Sequence, residues 1–370
     1  MAELNQTTVR SEKPFFSVVM PAYNAEGHLD TAIDAIQAQT FLDWELVVVD
    51  DCSTDATREV VLRRAASDAR ISVISHSANQ GPAAARNTGI EAARGKWLWM
   101  PDSDDEFSND LLEKAHAALG GENVQLAIFG YIERYLDAGG KHLYDNPLPL
   151  TEIDWSSSDG WRPRIIDLEQ GTQYGYPWNK IYNLELIRSL NLRFERIPLI
   201  EDILFNIRVF DHVEKAVAIG GEPYVYIKKQ GSSITNSNKF SAQEYYEVHR
   251  RRIKELHDQF ERWGVLDDRT KGILGSLYAR YILSTLERNC YAVPEEFGHA
   301  DRVRWCKEAF DDPLFEELIP CAKSSGSKAL AACLLPLKTR NVTLSLAMGR
   351  FIHLVHGGFY STYTKMRSGR

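Results

Sequence analysis

The sequence predicts an α/β fold with a mainly parallel central sheet and helices on both faces, followed by a mostly helical C-terminal region. Three observations predict it: short apolar runs alternate with helix-period segments in the first third, each central run ends in a polar loop, and helical periodicity dominates from Ser241 onward. FFSVVM (15–20), WELVVVD (44–50), ISVIS (71–75) and KWLWM (96–100) read as strands, the aliphatic ones apolar enough to be buried on both faces. Between them Leu29, Ile33 and Ile36 share one helical face, Thr57 to Ala66 reads as a helix, and PAAARNTGIEAA (82–93) as another. That βαβα order implies parallel pairing.

Farther along, VQLAIFGYIERY reads as a strand, DWSSSDG (154–160) as a loop, and Pro177–Leu190 and Glu201–Phe210 as helices. Beyond Ser241, Tyr246, Ile253, Leu256, Phe260 and Trp263 fall on one face. The expected organisation is a polar tail (1–14), an α/β unit (15–240) and a helical unit (241–370), with no internal repeat and no low-complexity linker.

A chain of 370 residues with 44% hydrophobic content can build a sizeable core, and a net charge of −8 argues against general affinity for nucleic acid. That charge is uneven. From Leu318 to Arg370 there is no Asp or Glu, whereas Lys323, Lys328, Lys338, Arg340, Arg350, Lys365, Arg367 and Arg370 are cationic. TLSLAMGRFIHLVHGGFYSTYTKMR places Leu344, Met348, Phe351, Ile352 and Val355 near one helical face, a pattern that suits an anionic membrane surface, packing on the rest of the protein, or self-association. The five cysteines form no C-x-x-C pair and are odd in number, as expected of reduced cytoplasmic thiols. MAELNQTTVRSEK lacks an apolar core for a secretory signal, and no stretch reaches the length of a membrane span.

In sheets of this kind ligands sit beyond the carboxyl ends of the strands. PAYNAEG, DDCSTD and PDSDDE follow the first, second and fourth strands, so three polar loops should meet at one edge. Asp102 and Asp104, separated by Ser103, can aim two carboxylates at one hard cation; an acidic turn capping the helix that begins near Asn109 is the plainer explanation. Asp51 can accept hydrogen bonds from a nucleoside, while Asp55 is placed to cap a helix. Arg86, in GPAAARNTG, can neutralise a diphosphate if its helix points at the same edge.

SVVMPAYNAEGHLDTAIDAIQAQTFLDWELVVVDDCSTDAT and NQGPAAARNTGIEAARGKWLWMPDSDD together resemble a family 2 glycosyltransferase of the GT-A fold, closely over about residues 15–115. The bacterial members that build cell-surface polysaccharide, capsule and teichoic acid are the nearest in kind. The absence of GxGxxG after the first strand disfavours a Rossmann dehydrogenase.

The resemblance implies a nucleotide-diphospho-sugar donor, UDP by preference, and a divalent metal, Mn²⁺ or Mg²⁺, with residues 15–120 as the nucleotide-sugar half and 121–240 as the acceptor half. It implies that Pro21, Ala22, Tyr23, Asn24 and Asp51 hold the nucleobase, that Arg86 lies near the diphosphate, and that Asp102, Ser103 and Asp104 form the D-x-D, Asp104 being the leading metal ligand and Asp105 a contact for the sugar. Glu201 and Asp202, in IPLIEDILFNIRVF, match an acidic pair that supplies the base for the acceptor hydroxyl, Asp202 first; acids in a first helical turn also complement the helix dipole without catalysis. Trp178, Asn179 and Lys180 in YPWNKIYN line the sugar or acceptor pocket on this reading, and Lys228, Ser232 and Ser233 in YVYIKKQGSSITN close over the diphosphate. The expected activity is inverting, metal-dependent transfer of a hexosyl unit to a glycan or lipid-linked acceptor at the inner face of the cell membrane. Its rivals are a catalytically inactive nucleotide-sugar-binding scaffold and a sugar nucleotidyltransferase, the latter disfavoured because no Gly-rich, Lys-bearing loop follows the first strand.

Overall fold

The structure is a computed structural model that describes residues 13–150, 152–230, 240–290, 297–324 and 327–358. The chain divides into two compact units near residue 235. In the first, β1 (Phe16–Ala22), α1 (Leu29–Gln37), β2 (Trp44–Asp50), α2 (Thr57–Ser67), β3 (Ile71–Ser75), α3 (Pro82–Ala92) and β4 (Trp97–Trp99) realise the expected alternation. There follow β5 (Glu106–Phe107), α4 (Leu111–Ala118), β6 (Leu126–Leu136), β7 (His142–Leu148), α5 (Ser158–Trp161), α6 (Ile165–Gln170), β8 (Lys180–Asn183), α7 (Leu184–Ser189), α8 (Glu201–Phe210) and β9 (Ala216–Lys229).

One nine-stranded sheet runs in the order β3-β2-β1-β4-β8-β6-β9-β5, with β7 paired to β6. β1 to β4 pair in parallel, as do β6 and β9, while β8 lies antiparallel between β4 and β6. All seven residues of β2 are buried, as both-face coverage by helices requires.

Two segments differ from the sequence expectation. Pro177–Leu190 is not one helix: KIYN forms β8 before α7 begins. Its strand pairings on both sides, Leu98 with Tyr182 and Leu126 with Tyr182, are long-range and outweigh local propensity. The start of YVYIKKQGSSITN is likewise strand, the end of β9, held in register by β6.

α3 sits close on the sheet for a stated steric reason. A Cβ at Gly89 would meet Val19 Cγ1 at 2.1 Å, so only glycine lets the helix approach β1. Its start is fixed by Gly81, at φ 86°, where an L side chain is strained, followed by Pro82 in the first turn. Arg86 lies one turn before Gly89 and therefore faces the sheet too.

The second unit is helical: α9 (Ala242–Arg262), α10 (Asp268–Arg288), α11 (His299–Phe310), α12 (Pro313–Leu318), α13 (Lys328–Lys338) and α14 (Val342–Gly358). Ser241 and Glu244 form a reciprocal capping box that starts α9. α14 packs on α10, where a Cβ at Gly349 would meet Leu286 O at 2.7 Å. No described helix is long and apolar enough to cross a membrane.

Candidate active site

The loops after β1 and β2 are laced together. Asn24 N donates to Ser53 Oγ at 3.0 Å, and Thr54 N donates to Asn24 Oδ1 at 2.9 Å. Asp55 accepts from Thr57 N (3.0 Å) and Glu26 N (3.1 Å), the helix-start role expected of it. Asn24 takes the left-handed backbone at φ 50°, which turns the chain sharply after Tyr23 and leaves that ring 51% exposed at the edge. Pro21 is half-buried and Ala22 buried beneath it.

Asp51 is placed differently from the expectation of a carboxylate free to meet a nucleobase. It is buried, and its oxygens accept from Gln80 N (2.9 Å), Gly81 N (2.6 Å) and the His76 ring at Nδ1 (2.6 Å). This ties the end of β2 to the start of α3, and His76, not singled out from the sequence, completes the anchor through Thr88 at 2.9 Å. A carboxylate satisfied by several N–H donors holds loop geometry firmly.

Arg86 is buried. Its side chain is 5% exposed, and it lies between two acids: Nη1 donates to Asp202 Oδ1 at 2.9 Å and Nη2 donates to Asp102 Oδ1 at 2.8 Å. Its guanidinium therefore joins the D-x-D to the first turn of α8. The planar fork is suited to span two carboxylates, and their charges raise its pKa against the opposing effect of burial. Asn87 fastens the same junction from the next residue, exchanging two 2.8 Å bonds with the Phe194 backbone.

Asp202 and Glu201 open α8, whose Ile203, Leu204, Phe205 and Ile207 are buried and fix its direction. Asp202 is held higher than an ordinary carboxyl, at about 7: burial pushes it up, the Arg86 charge pulls down, and Glu201 and Asp102 push up again. Glu201 is raised by burial and by Asp102, and its Oε2 is shielded without a hydrogen-bond partner among the described residues. Two neighbouring acids that resist ionisation are the arrangement expected of a proton-accepting site.

The D-x-D loop has one open and one closed acid. Asp104 is exposed at the loop tip, and desolvation by the surrounding protein and the Asp102 charge raise its pKa, with His28 opposing. Ser103 between them is half-buried. Asp105 is buried and anchored, accepting from Tyr224 Oη (2.6 Å) and Ile227 N (2.8 Å), while Asp102 N donates to the same Tyr224 hydroxyl at 3.2 Å. Burial and the two neighbouring acids push Asp105 well above the usual carboxyl range. Its bonds to Tyr224 and Ile227 brace the turn against β9.

Trp178, Asn179 and Lys180 are core residues and not pocket lining. Trp178 stacks on Tyr224 with ring centroids 4.6 Å apart and on Tyr176 at 4.7 Å. Asn179 donates to the Phe129 and Gln173 carbonyls, and Lys180 Nζ donates to Gln173 O (3.0 Å), Tyr176 O (2.7 Å) and Asn179 Oδ1 (2.7 Å). Full burial lowers the Lys180 pKa. Lys228 pairs with the buried Glu133 carboxylate. Ser232 and Ser233 lie outside the described residues.

At the carboxyl edge of the sheet, Arg86 bridges Asp102 of the D-x-D and the raised acid Asp202 of α8, and the exposed Asp104 lies two residues beyond Asp102. Fold and site together define a glycosyltransferase of the GT-A type. Residues 17–190 match the family described as glycosyl transferase family 2, and the chain belongs to it. An uncharacterized glycosyltransferase of Haemophilus influenzae is 43% identical over 62% of this chain and 84% of its own length. The succinoglycan biosynthesis protein ExoO of Rhizobium meliloti is 30% identical over 59% of this chain and 62% of its own. Among solved structures, Staphylococcus aureus TarS 1–349 in complex with UDP superposes with a TM-score of 0.62 over 93% of this chain and 92% of that one, at 19% identity, a likeness of fold. Full-length TarS of the same species, a poly(ribitol-phosphate) β-N-acetylglucosaminyltransferase, aligns over 39% of its length, so this chain spans less than two thirds of some relatives.

Proposed function

We propose that this chain transfers a sugar from a UDP-sugar, with inversion at the anomeric carbon, to a hydroxyl of a glycan or lipid-linked acceptor during cell-surface polysaccharide synthesis. The observation that carries the reading is the Arg86 bridge, which sets the D-x-D acid Asp102 and the base candidate Asp202 on one guanidinium. The relatives' names support the class of product, and the structures of TarS with UDP and with UDP-GlcNAc support the choice of donor.

On this reading the nucleobase lies against Tyr23 and the loop of Pro21, Ala22 and Asn24, with Asp51 holding that wall in place. Asp104 and the second oxygen of Asp102, beside Ser103, would offer a hard oxygen donor set; desolvation and then the Asp102 charge raise Asp104, and a divalent cation would offset both. Mn²⁺ or Mg²⁺ bound there supplies charge stabilisation to the diphosphate leaving group. Asp202, with Glu201 beside it, takes the acceptor proton.

The test is release of free nucleotide from UDP-, GDP- and TDP-sugars, with Mn²⁺ or with EDTA, in wild type and Asp104→Ala. We expect metal-dependent release from a UDP-sugar, reduced roughly a hundredfold in the variant, since a bound cation is worth several kcal/mol of transition-state stabilisation. Release indifferent to EDTA would remove the metal from the reading. Binding of UDP without release, across added acceptors, would favour a scaffold.

For the C-terminal unit we propose attachment to the anionic inner face of the cell membrane through α13 and α14. No acidic residue follows Glu317, and Leu335, Leu344, Phe351 and Leu354 are exposed, Leu354 at 71%, with Lys338 and Arg350 exposed on the same two helices. Leu354→Glu should weaken sedimentation with vesicles of phosphatidylglycerol and phosphatidylcholine at least about fivefold, at roughly 1.5–3 kcal/mol for a large apolar side chain. Equal sedimentation of the two proteins would count against the proposal.

A further inference from the structure

The face of the sheet that carries Tyr224 continues outward beyond the D-x-D loop. β6 and β9 run parallel with Tyr131 opposite Tyr224, Glu133 opposite Tyr226 and Tyr135 opposite Lys228, and β7 adds Asn146 opposite Glu133 and Tyr144 opposite Tyr135. Side chains two apart along a strand share a face, so these rows form one surface. Its inner end is the Tyr224 hydroxyl that holds Asp102 and Asp105. Tyr226 lies next, its pKa raised by burial, by Tyr176 and then by the charges of Asp105, Asp102 and Asp104.

The outer end is built and not incidental. Glu133 is 5% exposed, yet its carboxylate gathers Tyr135 Oη at 3.0 Å, Asn146 Nδ2 at 3.0 Å and the Lys228 ammonium. This locks the Tyr135 ring, on which Tyr144 stacks with centroids 4.5 Å apart and planes at 16°. Lys228 Nζ lies 5.4 Å from the Tyr135 ring and 5.3 Å from the Tyr226 ring, joining the two aromatic groups. Tyr144 is 53% exposed although it could have been any polar residue on a surface strand. Tyr224 itself is fully buried under Trp178, so the part open to a ligand begins at the half-buried Tyr226 and runs outward through Tyr135 to Tyr144 on β7.

A pyranose presents C–H groups on its faces and hydroxyls at its rim, so it is matched by aromatic rings interspersed with hydrogen-bonding groups. The two ions of this surface, Glu133 and Lys228, neutralise each other, which favours an uncharged chain over a phosphodiester one. We infer that the face of β6, β7 and β9 bearing Tyr226, Tyr135 and Tyr144 is a track for the acceptor: it binds uncharged sugar units of a glycan chain that lie behind the reacting hydroxyl. The inference rests on the transferase reading above.

The experiment is calorimetric titration of the full chain, with UDP and Mn²⁺ present, using glucose, galactose and N-acetylglucosamine and their β-1,4-linked tetrasaccharides, in wild type, Tyr144→Ala and Tyr135→Phe. UDP affinity is measured separately in each protein. At least one tetrasaccharide should bind wild type about tenfold more tightly than its monosaccharide, and Tyr144→Ala should abolish that preference, since one aromatic contact is worth about that factor. Tyr135→Phe, which keeps the ring and frees it from Glu133, should reduce it in part. Absence of a length preference in wild type, or its persistence in Tyr144→Ala, overturns the track, as does tighter binding of a ribitol-phosphate tetramer than of every neutral tetrasaccharide. Failure of wild type to bind UDP would instead strike the donor reading, while a length preference seen without it would leave the track standing as a glycan-binding surface.

Discussion

Asp202→Asn should lower kcat by about 10²–10⁴ and leave UDP affinity nearly unchanged. The size follows from loss of a positioned general base. Asparagine keeps the volume of the side chain and an oxygen that can still accept from Arg86 Nη1, so the first turn of α8 should stay in place. The same substitution should erase a pH dependence. With Asp202 held at about 7, wild-type kcat/KM should rise with pH as the carboxyl loses its proton, with a midpoint near 7, and level off above it. That limb should be missing in Asp202→Asn. If Asp202→Asn transfers at the wild-type rate while Glu201→Gln collapses, the base is Glu201, the adjacent acid also raised by burial.

Arg86→Leu should be the most destabilising single change in the site. Removing one partner from a buried charge cluster leaves uncompensated carboxylates and typically costs about 3–5 kcal/mol. Here Asp102 and Asp202 keep 28% and 29% of their side-chain surface exposed, so the lower end, about 3 kcal/mol, is the better figure. For a unit of this size that is a fall in Tm of roughly 6–12 °C, read by calorimetry. The sign of its pH dependence is also fixed. Without the guanidinium, Asp202 in the folded state is raised still further above its unfolded value, so the folded protein gains relative stability at low pH, where the group is protonated, and loses it as pH rises. The gap between wild type and Arg86→Leu should therefore stay nearly level below about pH 7, where both folded forms keep the proton, and widen above it. In Arg86→Leu/Asp202→Asn part of the loss should return, because one of the orphaned charges is gone. A gap that stays constant with pH would mean that Arg86 acts through packing alone.

The strands that bury both faces were legible because periodicity and β-branched content are local properties: WELVVVD and ISVIS have the bounds of β2 and β3 as read. The acids at the sheet edge were legible because the βαβα order dictates where loops gather. What escaped was pairing between distant residues. KIYN carries no local mark that distinguishes a strand from a helix start, and its identity comes from Leu98 on one side and Leu126 on the other. Arg86 was found as a residue, but a basic side chain aimed at a polar edge reads as a ligand for phosphate until Asp202, 116 residues away, is seen beside it. For Trp178, Asn179 and Lys180 composition misled: polar groups in a core look like site residues unless the carbonyls that satisfy them are known. Glu133 gave no motif at all, and only the alternation of Glu133, Tyr135, Tyr224 and Tyr226 along two strands hinted at a shared face.

The insertion of β8 between β4 and β6 has a bearing on biosynthesis. The ribosome delivers β1 to β4 long before residues 180–183 exist. Until then β4, with Trp97 and Trp99 destined for complete burial, forms an unpaired border of a nascent sheet, and Arg86 has met only one of its two acids. Open strand borders rich in aromatic residues invite intermolecular pairing. The β1–β4 half of the sheet is thus complete in sequence well before it is complete as a folding unit, and fragments ending ahead of Asn183 should be captured by chaperones or aggregate, whereas chains released after β9 should not.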